Sequence, residues 1–331
     1  MKESLLGTAI KRFKSNMSSY IAVGVLCALF MILISTLSFI DKYVALFAVP
    51  LLALPFLFAS HICCYLLEMN QPITPSAFFR YFASFFSPQF RSSFRVLMSF
   101  LKTLAFYFSA LTISGIVMFI IYNNVNGSLF MDSIKEIVRQ YQYGISYEEI
   151  MSILHDNNDM LLTYIVYTTS FPIPAAITAF FYFISFSSIS IYYRANVNVG
   201  APSLLRLGIA NTYARARGSM RKDWFILNWP LLVLLFVGSV TSGVIFLLIY
   251  KNPYVLSPAF VMGAFIPLVF FLPFYFPNME VLYHRYEGEF KEGNKKAVQI
   301  ILTRIQSSIE LSEEEKRKLE DSFRDNDGRR E

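Results

Sequence analysis

The chain has 331 residues, of which 55% are hydrophobic and only 16% charged, with a formal net charge of +6. A soluble chain of this length makes about two domains and carries about a quarter charged residues, so this composition excludes a soluble fold and makes lipid the solvent. The 34 Phe and 20 Tyr, against only 2 Trp, fit that medium, because Phe is cheap in hydrocarbon and Tyr settles at the headgroups.

Residues 1–19 are too charged for a cleavable signal, and the apolar run at 20–40 is long enough to stay as a span. Within the first segment, Ser4-Leu5-Leu6 followed by Lys11, Arg12 and Lys14 reads as a basic amphipathic helix. Further apolar runs follow at 43–67, 97–122, 160–192, 224–250 and 255–283. Each approaches or exceeds the roughly 20 residues that cross a bilayer core as a helix. A lipid-exposed backbone must satisfy its own hydrogen bonds, and the alternation of a membrane barrel is missing, so the spans are read as helices. Prolines at 50, 55, 172, 174, 230, 267 and 273 lie inside these runs and predict kinks or local unwinding. Cys27, Cys63 and Cys64 fall within or beside apolar stretches and read as small buried hydrophobes.

Charge fixes the expected direction. Placing the N-terminus in the cytoplasm leaves only Lys42, Lys135, Arg139 and Lys251 outside, out of 29 Lys and Arg. That asymmetry predicts a cell-membrane protein with both termini cytoplasmic. The net positive charge then answers to the anionic inner leaflet and implies no nucleic-acid partner.

Between the spans, residues 76–95 carry Phe78, Phe79, Phe82, Phe85 and Phe86 beside Arg80 and Arg91. Residues 203–220 carry Leu204, Leu205, Leu207 and Ile209 among Arg206, Arg215 and Arg217. Both read as helices in the headgroup plane. They serve either as anchors or, through Arg206, Arg215 and Arg217, as docking surfaces for a cytoplasmic partner. The outside loop at 123–159 has Ile134, Ile137, Val138 and Tyr141 at helical spacing, then Ser146-Tyr147-Glu148-Glu149 before Ile150, Ile153 and Leu154, predicting two short amphipathic helices. The bundle is thus expected over 1–290 and a cytoplasmic helical tail over 291–331, with one helix at 295–308 and a second opened by Ser312-Glu313-Glu314-Glu315.

The segments echo one another. Pro75-Ser76-Ala77-Phe78-Phe79-Arg80 recurs as Pro202-Ser203-Leu204-Leu205-Arg206, and Ile113-Ser114-Gly115 through Tyr122 aligns without gaps on Thr241-Ser242-Gly243 through Tyr250. The even-numbered spans share a pattern as well, with Pro50, Pro55 and Tyr65 matching Pro267, Pro273 and Tyr283, and Pro172, Pro174 and Tyr192 a looser copy. The expected fold class is therefore all-α integral membrane: six transmembrane helices arranged as three tandem units of amphipathic helix plus two spans, about an axis along the membrane normal.

Catalytic constellations are missing. His61, His155 and His284 have no second ligand at zinc spacing, and there is no phosphate-binding Gly-rich loop, GxSxG elbow, HExxH or paired intramembrane carboxylates. Lys102, Asp223 and Glu280 lie near cytoplasmic span ends, and His61 about a turn from one, so midplane proton or ion relays lack their residues. The reading is a non-enzyme without cofactor or metal, in which no single carboxylate or His is indispensable. Hydroxyls in the fourth span and Asn228-Trp229-Pro230 in the fifth either cement packing or line a polar cavity built on Thr168, Thr169, Ser170, Asn228 and Trp229.

From Tyr192 to Glu287 the chain resembles uncharacterised bacterial multi-pass proteins related to the membrane domain found beside some glycerophosphodiesterases. The resemblance rests on Ala214-Arg215-Ala216-Arg217-Gly218 leading into a span and on a Pro-rich span closed by Val281-Leu282-Tyr283. It covers less than a third of the chain and implies no established reaction. The leading functional expectation is a membrane subunit of an export, permease or lipid-handling system working with protein partners. The alternative is a scaffold or signal-relay subunit that binds partners through its outside loop and cytoplasmic tail.

Overall fold

The computed structural model describes residues 4–68, 74–86, 91–144, 146, 159–196, 220–249 and 253–308. Among these residues the chain is helical throughout, with no strand. Stretches Met17–Thr36, Val49–Leu67, Phe94–Asn126, Thr163–Ile189 and Arg221–Ile249 are long and apolar enough to cross a membrane, and two further helices bent by 42° at a short break pass the same test only when taken together.

α1 (Leu5–Ser15) begins at Ser4, whose hydroxyl accepts a hydrogen bond from the Gly7 N–H, and ends on Arg12 and Lys14, which complement the negative end of the helix dipole. Its Leu5, Ala9 and Phe13 face the core. α2 (Met17–Thr36) follows directly. The second run is not one regular helix: α3 (Lys42–Ala48) passes into a π-helical segment, Val49–Ala53, and then α4 (Leu54–Glu68). Pro50 lies within that segment, where its missing N–H removes a rung of the ladder. α5 (Pro75–Ser84) is capped by the Thr74 hydroxyl, with Pro75 at the first helical position.

α6 (Arg91–Asn126) is a single 36-residue helix, longer at both ends than its apolar run. α7 (Ser128–Gln142) is the first of the two helices expected in the outside loop, entered through Gly127 at φ 55°. The second helix of that loop, the amphipathic stretch with Arg206, Arg215 and Arg217, and the tail beyond Ser308 lie outside the described residues. The fourth run is divided at Phe171 into α8 (Asp159–Ser170) and α9 (Pro172–Asn196). α10 (Arg221–Ile249) continues through Pro230. The last run breaks at Ile266–Pro267 into α11 (Pro253–Phe265) and α12 (Leu268–Ser308). α12 carries on unbroken to Ser308, so the helix expected to start anew near Lys295 is its continuation.

α4, α9 and α12 touch one another in pairs at the centre. α2 packs between α12 and α4, α6 packs mainly on α9 with a lighter contact to α4, and α10 packs between α9 and α12. The burial of the spans follows this plan: 67% of the span window at Val49–Leu67 and 61% of that at Thr163–Ile189 are buried, against 33%, 22% and 0% for α2, α10 and α6. Side-chain pairings show that the outer helices run antiparallel to the inner ones. Tyr20 meets Glu280 while Gly24 meets Pro273, and Ser99 meets Ser187 while Gly115 meets Thr168.

Candidate functional site: a tyrosine-packed centre beside an apolar cavity

At one end of the three central helices, Tyr65 of α4, Tyr192 of α9 and Tyr283 of α12 form a triangle, with ring centroids 5.4, 5.6 and 5.8 Å apart. All three are essentially inaccessible. One turn before Tyr65, His61 is fully buried and its Nδ1 hydrogen-bonds the Tyr192 hydroxyl at 2.8 Å. The imidazole lies edge-on to Tyr275 and Phe276. Its Nε2 has no hydrogen-bond partner among the described residues. Tyr275 in turn shares a hydrogen bond of 3.1 Å with Ser185. The centre of the bundle at this level is thus filled by aromatic rings, with the Tyr192 and Tyr275 hydroxyls each held by a polar partner.

A carboxylate joins this cluster. Glu280 on α12 is 0% exposed and accepts a hydrogen bond from the Tyr20 hydroxyl of α2. A second acidic residue, Asp223 at the start of α10, accepts from the Arg285 guanidinium at 2.8 Å and the Tyr286 hydroxyl at 2.7 Å. His284 and Glu287 pair at 3.0 Å beside them. Of the residues read as near-interfacial, His61, Asp223 and Glu280 are therefore enclosed by protein, whereas Lys102 is exposed. Span-end position alone does not reveal this, because the enclosure comes from neighbouring helices: Tyr20 of α2 on Glu280, and Tyr192 of α9 with Tyr275 and Phe276 of α12 around His61.

The residues singled out for a polar cavity are divided between α8 and α10. Thr169 bonds the carbonyl of Ile165 in its own helix, and Thr168 packs its methyl 3.4 Å from where a side chain on Gly115 would begin. The Thr168 and Ser170 hydroxyls are buried without a hydrogen-bond partner among the described residues. Asn228 is buried against Met279 and Asn278, the latter donating to the Leu227 carbonyl at 3.0 Å just ahead of Pro230. Trp229 points away from the bundle and is 53% exposed. Thr168, Thr169 and Asn228 thus serve packing between helices or within one, as hydroxyls and amides commonly do in membrane helices.

One cavity among the described residues has a different character. About 320 Å³ of space lies between α2, the π-helical segment, α6, α9 and α11. Met31, Val49, Leu104, Ala176 and Phe265 are among the residues lining it, and none of the five expected polar residues is. Its polar side chains are Ser35, Thr103 and Tyr107, of which Ser35 donates to the Ile32 carbonyl and Thr103 to the Ser99 carbonyl. The walls flank each break in the three inner runs: Val49 and Ala53 belong to the π-helical segment, Ile173 follows the bend at Phe171, and Phe265 precedes the break at Ile266–Pro267. The breaks in the three inner runs and the cavity thus adjoin one another. The signal available in the sequence was the set of prolines, which marks the breaks but not the space they open.

No protein-family model, no curated protein and no solved structure matches this chain.

Proposed function

We propose that the chain is a non-enzymatic multi-pass membrane protein of a lipid-handling system, with six spans and both termini cytoplasmic. The observation that carries this reading is the cavity of about 320 Å³ among helices apolar enough to span a bilayer, with walls that are almost wholly hydrocarbon. Such a wall offers a polar solute nothing in exchange for its hydration, whereas an apolar chain loses nothing on entering. The filled tyrosine centre argues in the same direction, since it leaves no polar route between α4, α9 and α12 at that level.

The arrangement of an outer helix in each groove between central helices supports three tandem units of amphipathic helix plus two spans. Tyr65, Tyr192 and Tyr283, the residues that close the three inner runs, are then equivalent positions about one axis. Arg206, Arg215 and Arg217 remain the proposed docking residues for a cytoplasmic partner, and the resemblance to bacterial multi-pass proteins stays part of the proposal. The test is reconstitution of the full chain into vesicles carrying a headgroup-labelled phospholipid in one leaflet. The reading expects exchange between leaflets, or transfer to a co-purifying partner, faster than in protein-free vesicles; rates equal to the protein-free control in both assays count against it.

A second reading is a scaffold subunit. It is favoured by α6, which shows Phe106, Phe108, Ile113, Ile116 and Val117 on an exposed flank. A membrane-protein partner recovered at fixed stoichiometry in mild detergent, with no effect on lipid exchange, would select it.

A further inference from the structure

Resting on the lipid-handling reading, we infer that the cavity bounded by the π-helical segment, α6 and α9 is a binding site for one acyl chain of a bilayer phospholipid, which enters sideways past Val49 and Leu104.

Size sets the first limit. The space of about 320 Å³ is roughly twice the 150 Å³ of an engineered cavity that takes up benzene, and lies at the small end of ligand pockets. A segment of one hydrocarbon chain fits, and a whole two-chain lipid or a folded polar headgroup does not. Chemistry sets the second limit. The Ser35 and Thr103 hydroxyls are bonded to carbonyls of their own helices, so neither asks for a polar guest. The Tyr107 hydroxyl is the one side-chain polar group of the wall with no hydrogen bond among the described residues.

The third argument is access. α6 packs on α8 and α9 and meets α4 only lightly, while α3 and the π-helical segment turn toward α2 and the end of the first span. α6 and the π-helical segment therefore have little direct packing on one another, and the wall between them is thin. Leu51 and Leu52 on one side and Phe106 and Phe108 on the other are exposed beside it. On the membrane-spanning reading, bilayer hydrocarbon lies beyond that wall, and a void lined by apolar groups forfeits dispersion contacts until something apolar fills it. The backbone supplies the fourth argument. Irregular backbone at membrane depth persists where it lines a cavity or is buried in protein, and single-turn π segments recur at functional sites. Here the π segment is part of the wall.

The experiment uses the full chain, extracted in mild detergent and examined by native mass spectrometry, with phospholipid retention as the readout. One phospholipid per chain is expected to survive conditions that strip the annular shell. Ala176→Phe on α9 and Leu104→Phe on α6 fill the cavity from two walls, and each is expected to lower retention about tenfold, the loss of roughly 1.4 kcal/mol of binding. Ile245→Phe, on the exposed side of α10, is the control and keeps its lipid. Monodisperse elution and an unchanged melting temperature in at least one cavity variant separate filling from misfolding. Absence of a retained lipid in the unaltered chain, or equal retention in both folded cavity variants and the control, overturns the inference. Retention that falls in the variants without any lipid exchange in vesicles leaves the inference standing and removes the lipid-handling reading.

Discussion

Tyr20 donates its hydroxyl to Glu280 across 260 residues of sequence, tying the first span to the last through a hydrogen bond buried on both sides. Removing the donor with Tyr20→Phe leaves a fully enclosed carboxylate one hydrogen bond short, which costs about 1–3 kcal/mol. The double variant Tyr20→Phe/Glu280→Leu replaces both partners by apolar groups and should recover part of that loss. Thermal melts in detergent compare the three proteins; a Tyr20→Phe melt equal to the unaltered chain would show that the bond contributes nothing.

The tyrosine triangle separates ring packing from hydrogen bonding. Tyr192→Phe keeps the ring against Tyr65 and Tyr283 but removes the bond to His61, at a cost of about 1–3 kcal/mol. Tyr65→Ala removes the ring itself and opens a void among α4, α9 and α12, for which the loss of a large aromatic predicts about 3–5 kcal/mol. The same melts should rank Tyr65→Ala below Tyr192→Phe.

Gly115 and Gly243 occupy matching places in the aligned sequences, and both face protein, but with unequal room. A Cβ on Gly243 would stand 2.9 Å from the Phe260 ring, whereas one on Gly115 would be 3.4 Å from the Thr168 methyl. Gly243→Ala should therefore destabilise by about 1–3 kcal/mol through overpacking. Gly115→Ala should be neutral to stabilising by up to about 1 kcal/mol, since a Cβ there meets Thr168 at ordinary contact distance and a mid-helix glycine is replaced. Equal shifts in melting temperature for the two would contradict this geometry.

Topology is checked by labelling. In a background without Cys27, Cys63 and Cys64, Asn126→Cys and Ser146→Cys should react with an impermeant thiol reagent on intact cells, and Ser203→Cys and Ser312→Cys only after permeabilisation. The opposite pattern inverts the proposed orientation.

Hydropathy marked the apolar runs because each must clear the same thickness of hydrocarbon, and the prolines marked where α3 gives way to α4, α8 to α9 and α11 to α12. Two features were hidden for physical reasons. The enclosure of Glu280 and His61 depends on which helix covers them, and span-end position says nothing about covering. The cavity depends on how far irregular helices splay, and composition pointed instead to hydroxyl-rich stretches whose Thr169 is already bonded within its own helix. The continuity of α12 escaped for a third reason: the change to polar composition after Tyr283 reads as a boundary, whereas the helix runs through Gly288 to Ser308 without a break.

The seating of α2 against α12 has a consequence for the order of synthesis. A ribosome inserts α2 long before α12 exists, so the first span must wait in lipid with Gly24 and the Tyr20 hydroxyl unmatched until Pro273 and Glu280 arrive. Assembly of the ring is therefore completed by its earliest and latest spans meeting, and a chain stalled before α12 would present that unfinished seam to the quality-control machinery of the membrane.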